Sequence, residues 1–423
     1  MAQLFEDFGV GPRDVGMGNT GTATTTDYSA AFYNPGALTR AKGFGLYLGY
    51  KGVYPDLYMK IGRWNEKYFT QYPTTNFMVL GLSWNIVAED LIDPKWTERF
   101  TLGLAVAVSD FYKSFAVPYD QDTPYFYRYH DRYLNLLSAY VSAGIRLTDW
   151  LSIGGGLVPA PTDTWSKADV DSNFQIPNYK FWANQGTITR SWSKVEPLAG
   201  LLLHWPDDTG GDLASFGLTW RDEVSTKDGN GTAEDHTKIH FQDQVIALPS
   251  SLTPLETLTG WTPMQVVAAV AGSPVDGLTI TAEEIWKRWH EWLNFFSVHP
   301  DPPFHDTWNM RFGAEYVFEP ESFGLQTLAT RAGLYREYSP VPNQNGPSNY
   351  LDPDKWVFSA GLDSSWLFED LDVFRTPLHL GVSGQYHHMD RVHLNNDADP
   401  DYPPLDAWGQ VYSITATIGI QTE

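Results

Sequence analysis

The chain has 423 residues, of which 15% are aromatic and none is cysteine, and it carries a net charge of −23. The lack of cysteine excludes a disulfide framework, a thiolate metal site and a cysteine nucleophile, and the acidic balance argues against a nucleic-acid partner, whose phosphates demand a basic surface. The mean hydropathy is −0.32 and no apolar run approaches the ~18 residues of a membrane helix, although a transmembrane β-barrel escapes that test because its strands need only about 9–11 residues of alternating polarity.

The N-terminal stretch, residues 9–38, is rich in Gly, Thr and Ala, shows almost no hydrophobic periodicity, and stops at the stiff turn Asn34-Pro35-Gly36. From Gly43 onward the pattern switches to period-2 alternation, the mark of strands with two different faces. Strands are expected at Gly43–Tyr54, Phe77–Ile86, Phe100–Tyr112, Tyr133–Leu147, Trp150–Val158, Trp192–Trp205 and Leu213–Val224. Weaker candidates are Pro263–Ala271 and Gly277–Trp289. The set ends with Trp308–Phe318, Gln326–Tyr338, Trp356–Phe368, Leu378–Met389 and Trp408–Ile420. About fourteen strands is an even number, as single-chain membrane barrels have. The connections between them alternate long and short, and aromatic residues cluster at the strand ends. Trp84, Phe100, Trp150, Trp205, Phe318 and Trp366 mark the short-turn ends. Tyr50, Tyr112, Tyr133, Trp192, Trp220, Tyr338, Trp356 and Trp408 mark the long-loop ends. Such girdles place amphipathic rings at the lipid headgroups.

The expected fold is therefore all-β: a transmembrane antiparallel barrel of about 14 strands (43–423) with an N-terminal plug, or hatch (1–42), in its lumen. A barrel of that size leaves a hole unless something fills it. Strand parity turns Arg221, Glu223, Asn309, Arg311, Glu315, Arg331, Glu337, Ser359, Asp363, Gln385 and His387 inward, because charge on a lipid face is costly. Their mixed signs suggest ion pairs between wall and plug, reaching Arg13, Asp14 and Asp27. Arg311 and Arg331 are open to two readings, as anchors for a ligand headgroup or as structural partners of nearby acids. An apolar ligand lining is expected from Leu134, Leu136 and Tyr140. The loop at 244–271 adds Leu248, Leu252, Leu255, Leu258, Trp261 and Met264, more apolar side chains than a solvated loop exposes. Capture of a ligand and self-packing of the loop are both open for that segment.

The N-terminal motifs resemble the FadL/TodX family of outer-membrane transporters for long-chain fatty acids and other hydrophobic compounds. The residues that carry the resemblance are Gly9, Gly11, Arg13, Gly16-Met17-Gly18, Asp27, Ala30-Ala31 and Asn34-Pro35-Gly36, where the family more often has Ala at the last position. Phe216–Val224 resembles the family's seventh strand. Arg331–Gly333, Ser339–Pro342 and Trp356–Gly361 resemble its eleventh strand, the following loop and its twelfth strand. The resemblance implies passive uptake of a hydrophobic molecule: capture at the third and fourth long loops, movement of the hatch at its Asn34-Pro35-Gly36 turn (a static cork being the other reading of that turn), and lateral release into the bilayer through a thin wall at Gly103, Ala105 and Ala107. It also implies a bacterial outer-membrane location with the signal peptide already removed, contact with lipid and lipopolysaccharide, help from the barrel-assembly machinery, a monomeric state and no cofactor. The alternative is a barrel that transports nothing and serves as a surface scaffold or secretion partner.

No enzyme signature competes with this reading. Asp397-Ala398-Asp399-Pro400-Asp401 begins like a calcium loop but lacks the required Gly and late Glu. His387 and His388 fall on opposite faces of one strand. No nucleophile elbow, zinc-protease helix or phosphate loop occurs. The acidic and histidine-rich run at His299, Asp301, His305 and Asp306 reads as a polar loop.

Overall fold

The computed structural model describes residues 4–61, 67–69, 74–86, 99–109, 126–127, 137–159, 163–166, 181–190, 195–206, 212–225, 231–241, 244–247, 249, 251–255, 261–293, 299–320, 324–342, 350–367, 376–394 and 405–422. Fourteen long strands form one closed antiparallel barrel. In chain order they are β1 (Phe44–Ile61), β2 (Thr75–Asn85), β3 (Phe100–Ser109), β4 (Leu137–Arg146), β5 (Leu151–Pro159), β6 (Val195–Pro206), β7 (Asp212–Arg221), β8 (Gln265–Val275), β9 (Leu278–Lys287), β10 (Thr307–Phe318), β11 (Leu325–Glu337), β12 (Lys355–Trp366), β13 (Leu378–Leu394) and β14 (Leu405–Gln421). Each strand pairs with its neighbour in sequence, and β1 closes the ring by pairing with both β2 and β14. Closure removes every sheet edge, which the bilayer requires of a β structure.

Burial along the strands is inverted relative to a soluble protein. On β10 the alternate residues Trp308, Met310 and Phe312 are 61%, 53% and 48% exposed, whereas Asn309, Arg311 and Glu315 on the opposite face are 1%, 5% and 5% exposed. A face that shows tryptophan outward and hides arginine inward is stable only against hydrocarbon. The residues Trp84, Trp150, Trp205 and Phe318 at the short-turn ends are exposed, as an interfacial girdle needs. Tyr112, Tyr133 and Trp192, expected in the other girdle, lie outside the described residues. His387 is buried and His388 exposed, on opposite faces of β13.

Several expected boundaries move, β13 for example running past Met389 to Leu394 and β8 past Ala271 to Val275. The first strand does not stop at Tyr54 but runs to Ile61, straight through Pro55, because β14 pairs with it along the whole length. Tyr50 consequently sits in mid-strand instead of at a rim. Residues 244–262, read as a loop, contain the short strands Gln244–Ala247, Ser251–Leu255 and Trp261–Thr262, while the weaker strand expected at Pro263–Ala271 is present as β8.

The N-terminal segment forms three short helices, α1 (Leu4–Phe8), α2 (Pro12–Gly16) and α3 (Ala30–Tyr33), followed by a 3₁₀ turn at Pro35–Arg40. Nearly all of it is buried. Its contacts fall on the inward faces of strands around the circumference, from Lys51 of β1 to Gln385 of β13.

Candidate functional site

The inward faces sort into two arcs. On β14 and β1–β6 they are apolar or small: Val411, Val53, Leu57, Phe77, Val79, Ala105, Ala107, Tyr140, Val158 and Leu198 are all buried. These residues join Phe5, Phe8, Phe32 and Met389 in one hydrophobic cluster. The charged exceptions among the described residues of this arc are Lys51, Arg146 and Glu196. On β7–β13 the inward residues include Arg221, Glu283, Lys287, Arg311, Glu315, Arg331, Glu337, Lys355 and His387.

The charged arc is internally compensated, as buried ions must be. Glu315 lies between two arginines, 2.7 Å from Arg13 Nη2 of the N-terminal segment and 2.5 Å from Arg331 Nε. Arg331 also lies 3.8 Å from Asp363. Glu337 holds Lys287 at 3.0 Å and Lys355 at 3.5 Å. Arg311 is 4.0 Å from Glu283, donates to the Asn19 carbonyl at 3.2 Å and stacks 4.6 Å over the Tyr335 ring. Arg311 and Arg331 are thus both engaged by wall or segment in this structure.

Of the three segment residues expected to reach the wall, Arg13 does. Asp14 and Asp27 turn back on the segment: Ser29 donates its hydroxyl to Asp14 and its amide to Asp27 at 2.8 Å. Sequence reasoning missed Glu6, which pairs with Arg221, and Arg40, which pairs with Asp212 of β7. It also missed Lys51, Lys287 and Lys355. Extending the parity of Arg311 and Arg331 one or two positions along β9 and β12 would have found the last two. Glu6 lies where the sequence has no readable period.

The turn Asn34-Pro35-Gly36 is closely seated on the wall. Asn34 Oδ1 caps the 3₁₀ turn by accepting from the Gly36 amide at 3.0 Å, and Pro35 occupies the first turn position, where no amide hydrogen is needed. Asn34 Nδ2 donates to the Thr22 carbonyl at 2.8 Å and to the Leu201 carbonyl of β6 at 3.0 Å. The turn rests on Gly144, Gly154 and Gly200, one each from β4, β5 and β6. A side chain at Gly144 would lie 2.5 Å from the Pro35 oxygen, and one at Gly200 would lie 2.8 Å from Pro35 Cδ. Gly16-Met17-Gly18 sits the same way, with Gly18 at a left-handed φ of 75°, and a Cβ there would stand 2.9 Å from the Phe312 carbonyl oxygen.

The small residues of β3 have a packing cause. Gly103 leaves room for Leu38 and Ala31, and Ala105 and Ala107 are buried. β3 pairs along its length with both β2 and β4, so the wall is closed at this point. Tyr140 stands inward on β4, its ring centroid 4.9 Å from Phe32 and 5.8 Å from Phe5. Leu134, Leu136, Leu248 and Leu258 lie outside the described residues. The backbones of Leu252, Leu255 and Trp261 belong to short strands, and Met264 is half-buried just before β8. Beyond the barrel, Phe181–Arg190 from the β5–β6 connection pairs with Gly231–Phe241 from the β7–β8 connection. Asp163–Ser166, Gln244–Ala247 and Ser251–Leu255 complete this second sheet. The third and fourth long loops are therefore joined by backbone pairing.

Neither a family model nor a curated protein sequence matches the chain. Solved structures do. CymD, a monoaromatic hydrocarbon channel, superposes with a TM-score of 0.58 at 14% identity, covering 98% of each chain. The toluene transporter TodX of Pseudomonas putida gives 0.57 at 12% identity, over 98% of this chain and 99% of its own. A FadL homologue of Pseudomonas aeruginosa gives 0.55 at 13% identity, over 95% of this chain and 94% of its own. The fold is that of the FadL-type barrels. At such low identity the correspondence is one of architecture.

Proposed function

We propose that this chain is a FadL-type outer-membrane channel for passive uptake of hydrophobic molecules, hydrocarbons or long-chain fatty acids. The observation that carries the reading is the apolar arc, where aliphatic and aromatic side chains of seven adjacent strands meet Phe5, Phe8 and Phe32 of the N-terminal segment in one cluster. Such a lining favours an apolar solute over water. Support also comes from structures of the same fold that are named as hydrocarbon and toluene transporters. The pairing of Arg221, Arg311 and Arg331 with buried acids favours uncharged cargo.

In this reading residues 1–42 are the hatch and the joined third and fourth long loops are the capture surface. The moving part is α1. Its polar contacts with the wall include Glu6 on Arg221, the Phe8 carbonyl on Lys51 Nζ, and the Asp7 carbonyl on Tyr335 Oη at 3.3 Å. The Asn34-Pro35-Gly36 turn stays on its glycine floor. Cargo leaves sideways where β3 presents Gly103, Ala105 and Ala107. The scaffold reading draws on the same closely seated segment, since a barrel that never opens needs no path. Flux of radiolabelled toluene and octanoate into vesicles holding the purified protein tests the proposal. Toluene flux well above that of empty vesicles, with glucose excluded, is expected. Equal toluene flux with and without protein would leave the scaffold reading standing.

A further inference from the structure

The N-terminal segment meets the wall in reverse strand order. Pro12 lies on Gly381 of β13, where a Cβ would be 2.5 Å from Pro12 Cγ. Gly16 lies on Gly361 of β12, where a Cβ would be 3.2 Å from the Gly16 Cα. Gly18 covers Gly333 of β11, and Thr22 covers Gly217 of β7. Asn34 then bonds the Leu201 carbonyl of β6 at 3.0 Å, and Leu38 fills the space above Gly103 of β3. Outside this order lie Tyr28 at Gly81 of β2, Asn19 at Gln385 of β13, Ala31 and Phe32 at Ser142 and Tyr140 of β4, Arg40 at Asp212 of β7, and α1, which reaches Arg221 of β7 and Lys51 of β1. The segment then runs directly into β1.

The order matters because of the seam. β1 and β14 pair residues from the two ends of the chain, Gly45 with Gln421 at one end of the ladder and Ile61 with Leu405 at the other. Contacts so remote in sequence are slow to form, because the entropy of closing the loop is lost before any pairing repays it. The segment is continuous with β1, and its residues 12–16 dock on β12 and β13, the strands that precede β14. We propose that the N-terminal segment is an assembly strap: it binds the late strands first and carries them to β1, so that the barrel closes around it.

The packing supports this order of events. Segment backbone touches wall backbone at glycines on separate strands, and its ion pairs with Glu315 and Arg221 are buried. A segment entering a finished barrel would have to pass walls already at contact distance and shed its hydration inside. Gly155 and Gly384, which do not face the segment, lack such contacts: the nearest atom to a Cβ at either is 3.6 Å away. This role is independent of cargo and stands whether or not the channel proposal holds.

The test is refolding of the full chain from urea into vesicles with pulse-labelled hydrogen exchange read by mass spectrometry. The strap requires amides of residues 12–22 to gain protection no later than those of Leu405–Gln421. Kinetics of Gly333→Ala add a second readout. Folding is expected to slow about tenfold with unfolding nearly unchanged, the pattern of a contact already made in the transition state. Gly155→Ala and Gly384→Ala are expected to fold at the parent rate. Seam protection that precedes protection of residues 12–22 would overturn the proposal. So would a Gly333→Ala variant that folds at the parent rate and only unfolds faster. Should Gly333→Ala fail to fold, the labelling order of the parent chain decides the matter alone.

Discussion

On β7–β13 the wall grips the N-terminal segment with ions, whereas on β14 and β1–β6 it grips with shape. Glu315 between Arg13 and Arg331 belongs to the first kind; Leu38 over Gly103 and Phe32 against Tyr140 belong to the second. The difference teaches where a path can exist. A buried ion pair resists separation, because either partner left alone in a low-dielectric site is costly. Apolar contacts exchange readily for an apolar guest of similar volume. In the proposed channel the charged arc fixes residues 12–22, and the apolar arc, where Phe5 and Phe8 of α1 pack, is where cargo would displace the segment.

The largest test of this contrast is Glu315→Ala. It strands Arg13 and Arg331 without a carboxylate between them and is expected to cost about 3–5 kcal/mol, read by urea unfolding in vesicles. A loss below about 1 kcal/mol would mean that the charged arc does not hold the segment. Next comes Glu6→Gln, which keeps the shape of α1 but removes its charge-assisted bond to Arg221, worth about 1.5–3 kcal/mol. The barrel is expected to stay folded while single-channel conductance to small ions rises, which places the opening at α1. Unchanged conductance would move it elsewhere.

The third test probes the apolar arc itself. Val411→Thr adds a buried hydroxyl at almost constant volume and is expected to lower hydrophobic flux about tenfold, near 1.4 kcal/mol. Thr281→Val, the reverse exchange on β9 of the charged arc, is expected to leave flux unaltered. Equal effects in both arcs would erase the distinction. The smallest effect is expected from Arg391→Ala at the outer rim. Arg391 pairs with Asp406 but remains 60% exposed, so stability is expected to change by less than about 1 kcal/mol.

How much of this was legible depends on what each region must satisfy. Every barrel strand separates lipid from lumen, so alternation exposes it; β10 reads apolar and polar in turn from Trp308 to Phe318. Parity likewise turned Arg311, Glu315 and Arg331 inward without knowledge of any partner. The partners themselves were not legible. Arg13 and Glu315 are 302 residues apart, and parity says which way a side chain points, not what it meets. The extension of β1 past Pro55 was hidden because proline reads as a strand end, and only pairing with β14 overrides that local signal. Helices of four or five residues, such as α2 and α3, are too short to show a period. Glycines 313, 333 and 361 gave no signal either, because a close approach is a property of two segments.

The claim that the apolar arc is the cargo path is tested most directly by crystals grown with a bromine-labelled hydrocarbon such as 1-bromooctane. Anomalous density against Val53, Leu57, Phe77, Val79 and Val411, beside Phe5 and Phe8, is the expected result. Bromine confined to the lipid-facing surface, with that arc unoccupied, would contradict it.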